Sequence, residues 1–449
     1  MNLRRIFLTL LILSPFSSVY GDKFSETQQA LVKLGAQERP MKFIEAELIT
    51  LGFDPKKLPF VLDFSGYIKG ESFLDSRQTL DFRAGQLLLV PLEYLPDIHG
   101  RDINSRGRYN MSAIETRCRL DINGPVVHGW KTRGYIEADF FGTTDFSINT
   151  FFLRNAYMEL QGEHARFLAG QTYHPLVYPL EAPGTISFSG PLNAFAFNPQ
   201  FRFGYESKNL SLYVSFCGRV FLDDDGPIGP SSLYFRNSMM PEINFHGRVK
   251  NEGNFVGASL NIRRIVPRLV TNKNIKSVEH LTNIGLSGYF CYDAAPLTFF
   301  GKVIYVENGS PFAMVGGYAV SCADSQTDKR TYTNIRFLSA WLEIIYDCCT
   351  FEPAIFGGYG KNIGATRPVI TSITTDGIVE NTIYGFGNDI DTVARVSPRV
   401  RCYYYTPFII CTELEWTRAS YGTIDGFGKV HNAIPVNNYR WELACYYIF

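Results

Sequence analysis

The chain carries no excess charge of either sign: Lys plus Arg and Asp plus Glu number 43 each among 449 residues. A nucleic-acid binder normally shows a basic surplus, so that class is set aside. Charged residues are scarce as well, at 19% against about a quarter in ordinary globular proteins. Beyond residue 21 there is no run of about 18 apolar residues, so no membrane-spanning helix is expected. Nine cysteines are scattered in an odd count without a short repeated spacing, which implies neither a disulfide framework nor a zinc site. They read as small apolar side chains, and the adjacent Cys348-Cys349 reads the same way in preference to a redox or metal pair. No Gly-x-Ser-x-Gly or His-Glu-x-x-His string occurs, so catalysis has no specific support and no cofactor or metal is expected.

Aromatics, by contrast, reach 15%, with 36 Phe and 26 Tyr, alongside 39 Gly and an ordinary hydrophobic fraction of 45%. Many rings and few charges, without net greasiness, fit an all-β chain whose two faces meet different solvents. At the N-terminus, Arg4 and Arg5 precede the apolar run Ile6 to Leu13 and the small-x-small site Val19-Tyr20-Gly21. Residues 1–21 therefore read as a secretory signal peptide, the run being too short to cross a bilayer. Residues 22–59 carry helical spacing (Ala30, Leu31, Leu34; Phe43, Ile44, Leu48) broken by Pro40, a short periplasmic helical segment.

From residue 60 to 449 the chain breaks into segments of alternating hydrophobicity, the repeated signature of a transmembrane antiparallel β-barrel. In the last segment Tyr439, Trp441, Leu443, Cys445, Tyr447 and Phe449 share one face, and Arg440, Glu442 and Ala444 the other. The one before sets Phe408, Ile410, Leu414 and Trp416 against Glu413 and Glu415, and another sets Val396, Val400 and Cys402 against Arg395, Arg399 and Arg401. Early in the chain Ile114, Cys118, Leu120 and Ile122 are expected outside, with Glu115, Arg117, Arg119 and Asp121 inside. Lys131, Arg133, Glu137 and Asp139 continue the inner face. A soluble sandwich also alternates, but no helix pattern is available to cover the charged face.

Sixteen strands are expected, near 60–75, 113–124, 129–142, 148–161, 164–174, 200–207, 209–219, 241–250, 254–266, 281–293, 296–307, 332–347, 350–361, 391–405, 407–420 and 437–449. Eighteen follow if a long loop hides a hairpin. Short turns alternate with connections that are mostly long, among them 76–112, 175–199, 220–240, 308–331 and 362–390. One short end and one long end is how outer-membrane barrels are built.

The stretches DFSGYIKGESFLDSRQ, GQLLLVPLEYLPDIHGRDIN, NMSAIETRCRLDINGP and GYIEADFFG, extended by LRNAYMEL, FLAGQTYHPL and NPQFRFGYES, resemble the DcaP-like porins of Gram-negative outer membranes. The resemblance covers about residues 62–205, and the aromatic C-terminal strand agrees in kind. It implies a trimeric sixteen-stranded porin passing small solutes that are often anionic, such as dicarboxylates. The brief helical segment broken by Pro40 departs from the longer coiled segment that family members can carry, which weakens trimerisation through that region. The C-terminal Tyr447 and Phe449 resemble the signal read by the barrel assembly machinery.

Sixteen strands enclose a water-filled channel, and lumen charges with a constriction set its selectivity. The expected pore lining is a basic ladder of Arg117, Arg119, Lys131, Arg133, Arg154, Arg395, Arg399, Arg401 and Arg440, with Arg154 of ambiguous parity. Glu115, Asp121, Glu137, Asp139, Glu413, Glu415 and Glu442 on neighbouring strands neutralise part of it. The remaining guanidinium groups offer bidentate donors to carboxylates, so a mild anion preference is expected. The expected constriction is loop 175–199, with Tyr178, Glu181, Phe188, Phe195 and Phe197, the alternative being a cap outside the barrel. Asp223-Asp224-Asp225 reads as a solvated acidic loop in preference to a Ca²⁺ site, lacking the spacing of a calcium loop.

The resulting expectation is an outer-membrane diffusion porin, probed by small hydrophilic solutes, embedded in lipid bilayer and lipopolysaccharide, and forming a homotrimer. A substrate-specific channel, an outer-membrane enzyme and an adhesin with a filled lumen are the rivals.

Overall fold

A computed structural model of the chain describes residues 60–177, 184–186, 188–348, 350–375, 378–405 and 407–449. The expected leader 1–21, the helical segment 22–59, Tyr178, Glu181 and Cys349 lie outside the described residues.

Sixteen strands form the barrel wall. They are β1 (Val61–Asp75), β2 (Arg117–Val127), β3 (Trp130–Asp139), β4 (Phe152–Gln161), β5 (Ala165–Tyr173), β6 (Phe197–Glu206), β7 (Leu210–Cys217) and β8 (Glu242–Asn251). The second half is β9 (Asn254–Ile265), β10 (Leu281–Ala294), β11 (Leu297–Glu307), β12 (Arg330–Tyr346), β13 (Phe351–Gly364), β14 (Ile390–Tyr405), β15 (Phe408–Ile424) and β16 (Val430–Ile448). Each is antiparallel to the next, and β1 closes on β16 in a register running from Tyr67↔Ile448 to Asp75↔Arg440. Closure leaves no sheet edge, as a strand structure in hydrocarbon requires, because unpaired backbone groups there cost several kcal/mol each. Among the described residues no helix is long and apolar enough to cross a membrane.

The faces invert the rule for a water-soluble protein, in which charges lie outside. On β16, Arg440 and Glu442 are 0% and 2% exposed, whereas Trp441 between them is 44% exposed. On β15, Glu413 and Glu415 are buried and Leu414 is exposed. Hydrocarbon therefore suits the outer surface and solvent or packed loops the inner one. The two-residue turns His128-Gly129 and Glu252-Gly253 place both central residues at positive φ, the twist that tight hairpins need.

Three expectations are corrected. Ile114 does not face lipid: a turn in which Thr116 N–H donates to Ala113 O (3.1 Å) breaks the alternation and buries Ile114 with Phe141, Phe152 and Phe197. The last connection is short, because β16 begins at Val430 and not near residue 437. The added length pairs with β15 through a register shift between Tyr421 and Thr423 at Gly422. Two loop hairpins (Thr79–Phe82 with Leu87–Pro91, and Ser372–Thr375 with Ile378–Asn381) form two-stranded sheets of their own, and the short loop strands Arg108–Ser112, Gly316–Ala323 and Ile383–Phe386 add to the main sheet, while the closed wall itself has sixteen strands and not eighteen.

Candidate functional site in the barrel lumen

The inner wall is charged on both signs, and its charges are paired. Arg117 lies 3.3 Å from Glu115 and 3.6 Å from Glu137, and Arg119 Nε donates to Glu137 at 2.8 Å. Arg133 pairs with Asp121, and its Nε donates at 2.9 Å. A register shift on β3 opposite β4 turns Arg154 inward, where Nη1 donates to Asp139 at 2.6 Å and Nη2 to the Tyr173 hydroxyl at 3.0 Å. Across the barrel Arg395 lies 3.3 Å from Glu415, Arg399 pairs with Glu343, Arg401 Nη1 donates to Glu352 at 2.9 Å, and Arg440 is held by Asp75 at 2.8 Å. Of the expected ladder only Lys131, at the short-turn end, is simply exposed. The ladder therefore acts as a mesh of cross-strand pairs, and its net field is weaker than a count of arginines suggests.

The described part of loop 175–199 lies inside the barrel, fixed by wall side chains that hold its backbone. Lys302 Nζ donates to Leu176 O (2.6 Å) and Ser339 Oγ to Leu192 O (2.8 Å). Glu343 accepts from Gly184 N–H (2.8 Å) and Glu413 from Ile186 N–H (2.6 Å). Arg395 Nη1 donates to Phe188 O (2.5 Å). These five backbone groups thus find partners on the wall, which an inward loop needs.

A second inward element was missed by the alternation argument. The hairpin Thr79–Phe82/Leu87–Pro91 also enters the lumen. Arg395 donates to Leu89 O (3.0 Å), Arg440 to Gly85 O (2.7 Å), and the Tyr421 hydroxyl to Pro91 O (2.8 Å). Its signal was the run Leu87-Leu88-Leu89-Val90, four consecutive apolar residues that no half-solvated strand accommodates. With loop residues Phe312, Met314 and Val315 and the inward rings of Phe337, Trp341 and Phe356, the two elements build an apolar core inside the barrel.

Two cavities lie beside that core. One of about 290 Å³ is lined by Gln86, Glu115, Arg117, Arg154, Tyr173 and Asn193 among others. The other, of about 360 Å³, is lined chiefly by rings, including Phe82, Phe146 and Phe221. Both share Leu87, Phe141, Phe188 and Phe195, so these four side chains form a common apolar waist. A larger concavity of about 860 Å³ sits on the outer wall, where Val256, Phe290, Val303 and Leu342 surround Gly288 and Gly301; it belongs to the lipid face.

The aspartate triplet is split: Asp223 is exposed, Asp225 is half-buried and Asp224 is withdrawn from solvent. Asp224 is fully buried and accepts two bonds from Arg263 (2.7 and 2.8 Å) and one from Asn308 (3.0 Å). Burial pushes Asp223 and Asp225 above the usual carboxylate range. Among the described residues no group of three or more His, Cys, Asp or Glu is placed to hold a metal ion. Beside this latch, His174 accepts from Leu176 N–H at Nδ1 (3.1 Å), which leaves Nε2 to donate to Glu242 (2.8 Å). Burial lowers His174 below the ordinary histidine value, against the pull of Glu242.

A closed sixteen-stranded wall, an apolar outer face, a charged inner face and inward loops together define a porin-like fold of transmembrane barrel. Comparison with solved structures gives the same fold. The chain is similar to the outer membrane channel DcaP of Acinetobacter baumannii, at 17% identity and TM-score 0.61, over 87% of this chain and 97% of that one. It is also similar to OmpT of Vibrio cholerae in trimer form (12%, TM-score 0.51, 87% and 99% covered). An anion-selective porin from Comamonas acidovorans aligns as well (9%, TM-score 0.52, 87% and 100% covered). No protein-family model matches the chain, and no curated protein does.

Proposed function

We propose that the chain is a porin of the Gram-negative outer membrane, a channel for passive diffusion of small hydrophilic solutes, and not an enzyme. The observation that carries this reading is the described part of loop 175–199, pinned inside a lipid-facing barrel beside a polar-lined cavity. Anions, dicarboxylates among them, are the favoured solutes, supported by Arg117 and Arg154 on the cavity lining. Because those groups are already paired with carboxylates, the preference is mild. Lipid and lipopolysaccharide surround the barrel, three copies assemble, and the barrel assembly machinery reads Tyr447 and Phe449. In support of that last point, both rings face outward, Tyr447 tilted against Phe408 at 4.9 Å and Phe449 tilted against Phe64 at 5.6 Å. Single-channel recording in a salt gradient tests the reading. Discrete conductance steps with a reversal potential shifted toward the anion value are expected; a cation-selective shift removes the anion preference, and absence of steps removes the channel.

A second reading, a substrate-specific channel, is favoured by the apolar core that fills part of the lumen. It predicts conductance that saturates with solute concentration.

A further inference from the structure

The cavity of about 290 Å³ sits at the lower end of the range of small-molecule pockets. Its lining charges, Glu115, Arg117 and Arg154, belong to a network that extends behind them to Lys69, Arg119, Glu71, Glu137 and Asp139 and balances as a whole, linked by pairs such as Arg119–Glu137 at 2.8 Å and Arg154–Asp139 at 2.6 Å. A network so balanced holds a net anion only mildly, since each guanidinium brought toward a solute carboxylate brings its own carboxylate with it.

What the wall does offer is unfilled hydrogen-bonding capacity of both kinds. Asn193 Oδ1 and Gln86 Oε1 are buried without partners, in residues each 4% exposed. The Gln86 amide nitrogen donates to Glu71 Oε1 at 2.5 Å, which fixes the oxygen's direction. Arg117 Nε is a buried donor without a hydrogen-bond partner, and Arg154 Nε has only a 3.5 Å approach to Glu137. A buried acceptor or donor left without a partner costs about 1–3 kcal/mol, so a ligand that fills it gains that amount. The acceptors call for a cationic or hydroxylic donor and the guanidinium edges for an anion, within one chamber. At its mouth stand Leu87, Phe141, Phe188 and Phe195, which give an apolar group somewhere to pack.

We propose that this chamber is a binding subsite for a small zwitterion carrying an apolar ring, the chemistry of a free aromatic amino acid. Its carboxylate meets Arg117 and Arg154. Its ammonium meets Glu115 and the carbonyl oxygens of Gln86 and Asn193. Its ring lies at the waist against Phe188 and Phe195. The inference rests on the channel reading above but replaces the dicarboxylate by a dipolar solute at this position.

The test uses the full chain in planar bilayers, with L-phenylalanine as the probe. It is compared with 3-phenylpropanoate, phenethylamine, glycine and succinate, which lack in turn the ammonium, the carboxylate, the ring, or the ring and the ammonium. Phenylalanine is expected to block current at a concentration about tenfold below each of the others, the change that loss of one charge-assisted hydrogen bond produces. Asn193→Leu, which removes the acceptor and keeps the volume, should raise the half-blocking concentration of phenylalanine by about the same factor. Equal or stronger block by 3-phenylpropanoate or succinate overturns the proposal. A silent bilayer overturns the channel reading instead, and the subsite is then read by equilibrium dialysis of labelled phenylalanine against the detergent-solubilised protein. Retention that succinate does not displace supports the subsite, and no retention overturns it.

Discussion

Glu413, on the inner face of β15, accepts the backbone N–H of Ile186 at 2.6 Å, so a wall carboxylate that alternation places in the lumen pins the inward loop. Glu343 on β12 does the same for Gly184 at 2.8 Å while pairing with Arg399. Bonds to charged groups are worth about 1.5–3 kcal/mol each. The double change Glu343→Gln with Glu413→Gln keeps the volumes and weakens both anchors. Larger and noisier single-channel conductance is expected, and a conductance equal to that of the parent protein would show the loop to be held elsewhere.

Arg440 and Asp75 form a buried pair across the seam between β16 and β1, both at or below 1% exposure. Removing one partner of such a pair leaves an uncompensated charge, at a cost of about 3–5 kcal/mol. Asp75→Ala should therefore lower the urea midpoint of the detergent-solubilised barrel clearly, and Asp75→Ala combined with Arg440→Met should recover much of the loss. Equal damage in the double variant would assign the effect to the seam packing of Asn438, which donates to Asp75 at 2.8 Å, and not to the charge.

The wall was readable because period-two alternation survives wherever one face meets lipid. All sixteen expected segments correspond to strands, and Arg395, Arg399, Arg440, Glu413 and Glu415 point inward as their parity requires. What stayed illegible is what enters the lumen. Leu88, Leu89 and Val90 advertise burial, but a sequence does not say against what. Here it is against Trp341 and Phe356 from strands some 250 residues away, roughly the distance over which no local pattern carries information. The pairing of Arg399 with Glu343 skips the intervening β13, so nearest-strand reasoning missed that acid altogether. Asp224, at the centre of the triplet, departs for a related reason: local composition points to solvent, and tertiary contact with Arg263 overrules it.

His174 supplies a pH dependence. Its side chain faces Glu242 on β8, Arg219 in the loop before β8 and Arg263 on β9, and the Phe312 ring lies 5.0 Å away. Because burial holds the folded-state value below the ordinary one, the unfolded chain binds the proton more readily. The stability the neutral ring contributes is present above about pH 6.5 and is lost as pH falls through the lowered folded value. Protonation at Nδ1 also breaks the bond from Leu176 N–H at the root of the loop. Open-channel noise is expected to rise on acidification, and His174→Gln, which still donates toward Glu242, should flatten that rise. A variant that keeps the full pH response would locate the titration in the wall carboxylates.

The hairpin around Leu89 decides how much of the lumen is closed. Leu89 is 1% exposed within an apolar core that includes Val177, Phe337 and Trp341. A carboxylate placed there has no cation to meet, because the nearby guanidinium of Arg395 is engaged by the Leu89 carbonyl and by Glu415. Burying an unpaired ion costs several kcal/mol after relaxation, more than the apolar contacts of one short hairpin return. Leu89→Asp should therefore drive the hairpin out of the lumen while the wall, whose ladder it does not join, stays closed. The measurable result is a single-channel conductance several-fold above the parent value with unchanged heat-modifiable mobility. Leu89→Met, near in volume and apolar, costs less than about 1.5 kcal/mol and should leave conductance as it was. If Leu89→Asp conducts like the parent, the hairpin does not narrow the path, and loop 175–199 alone sets its width.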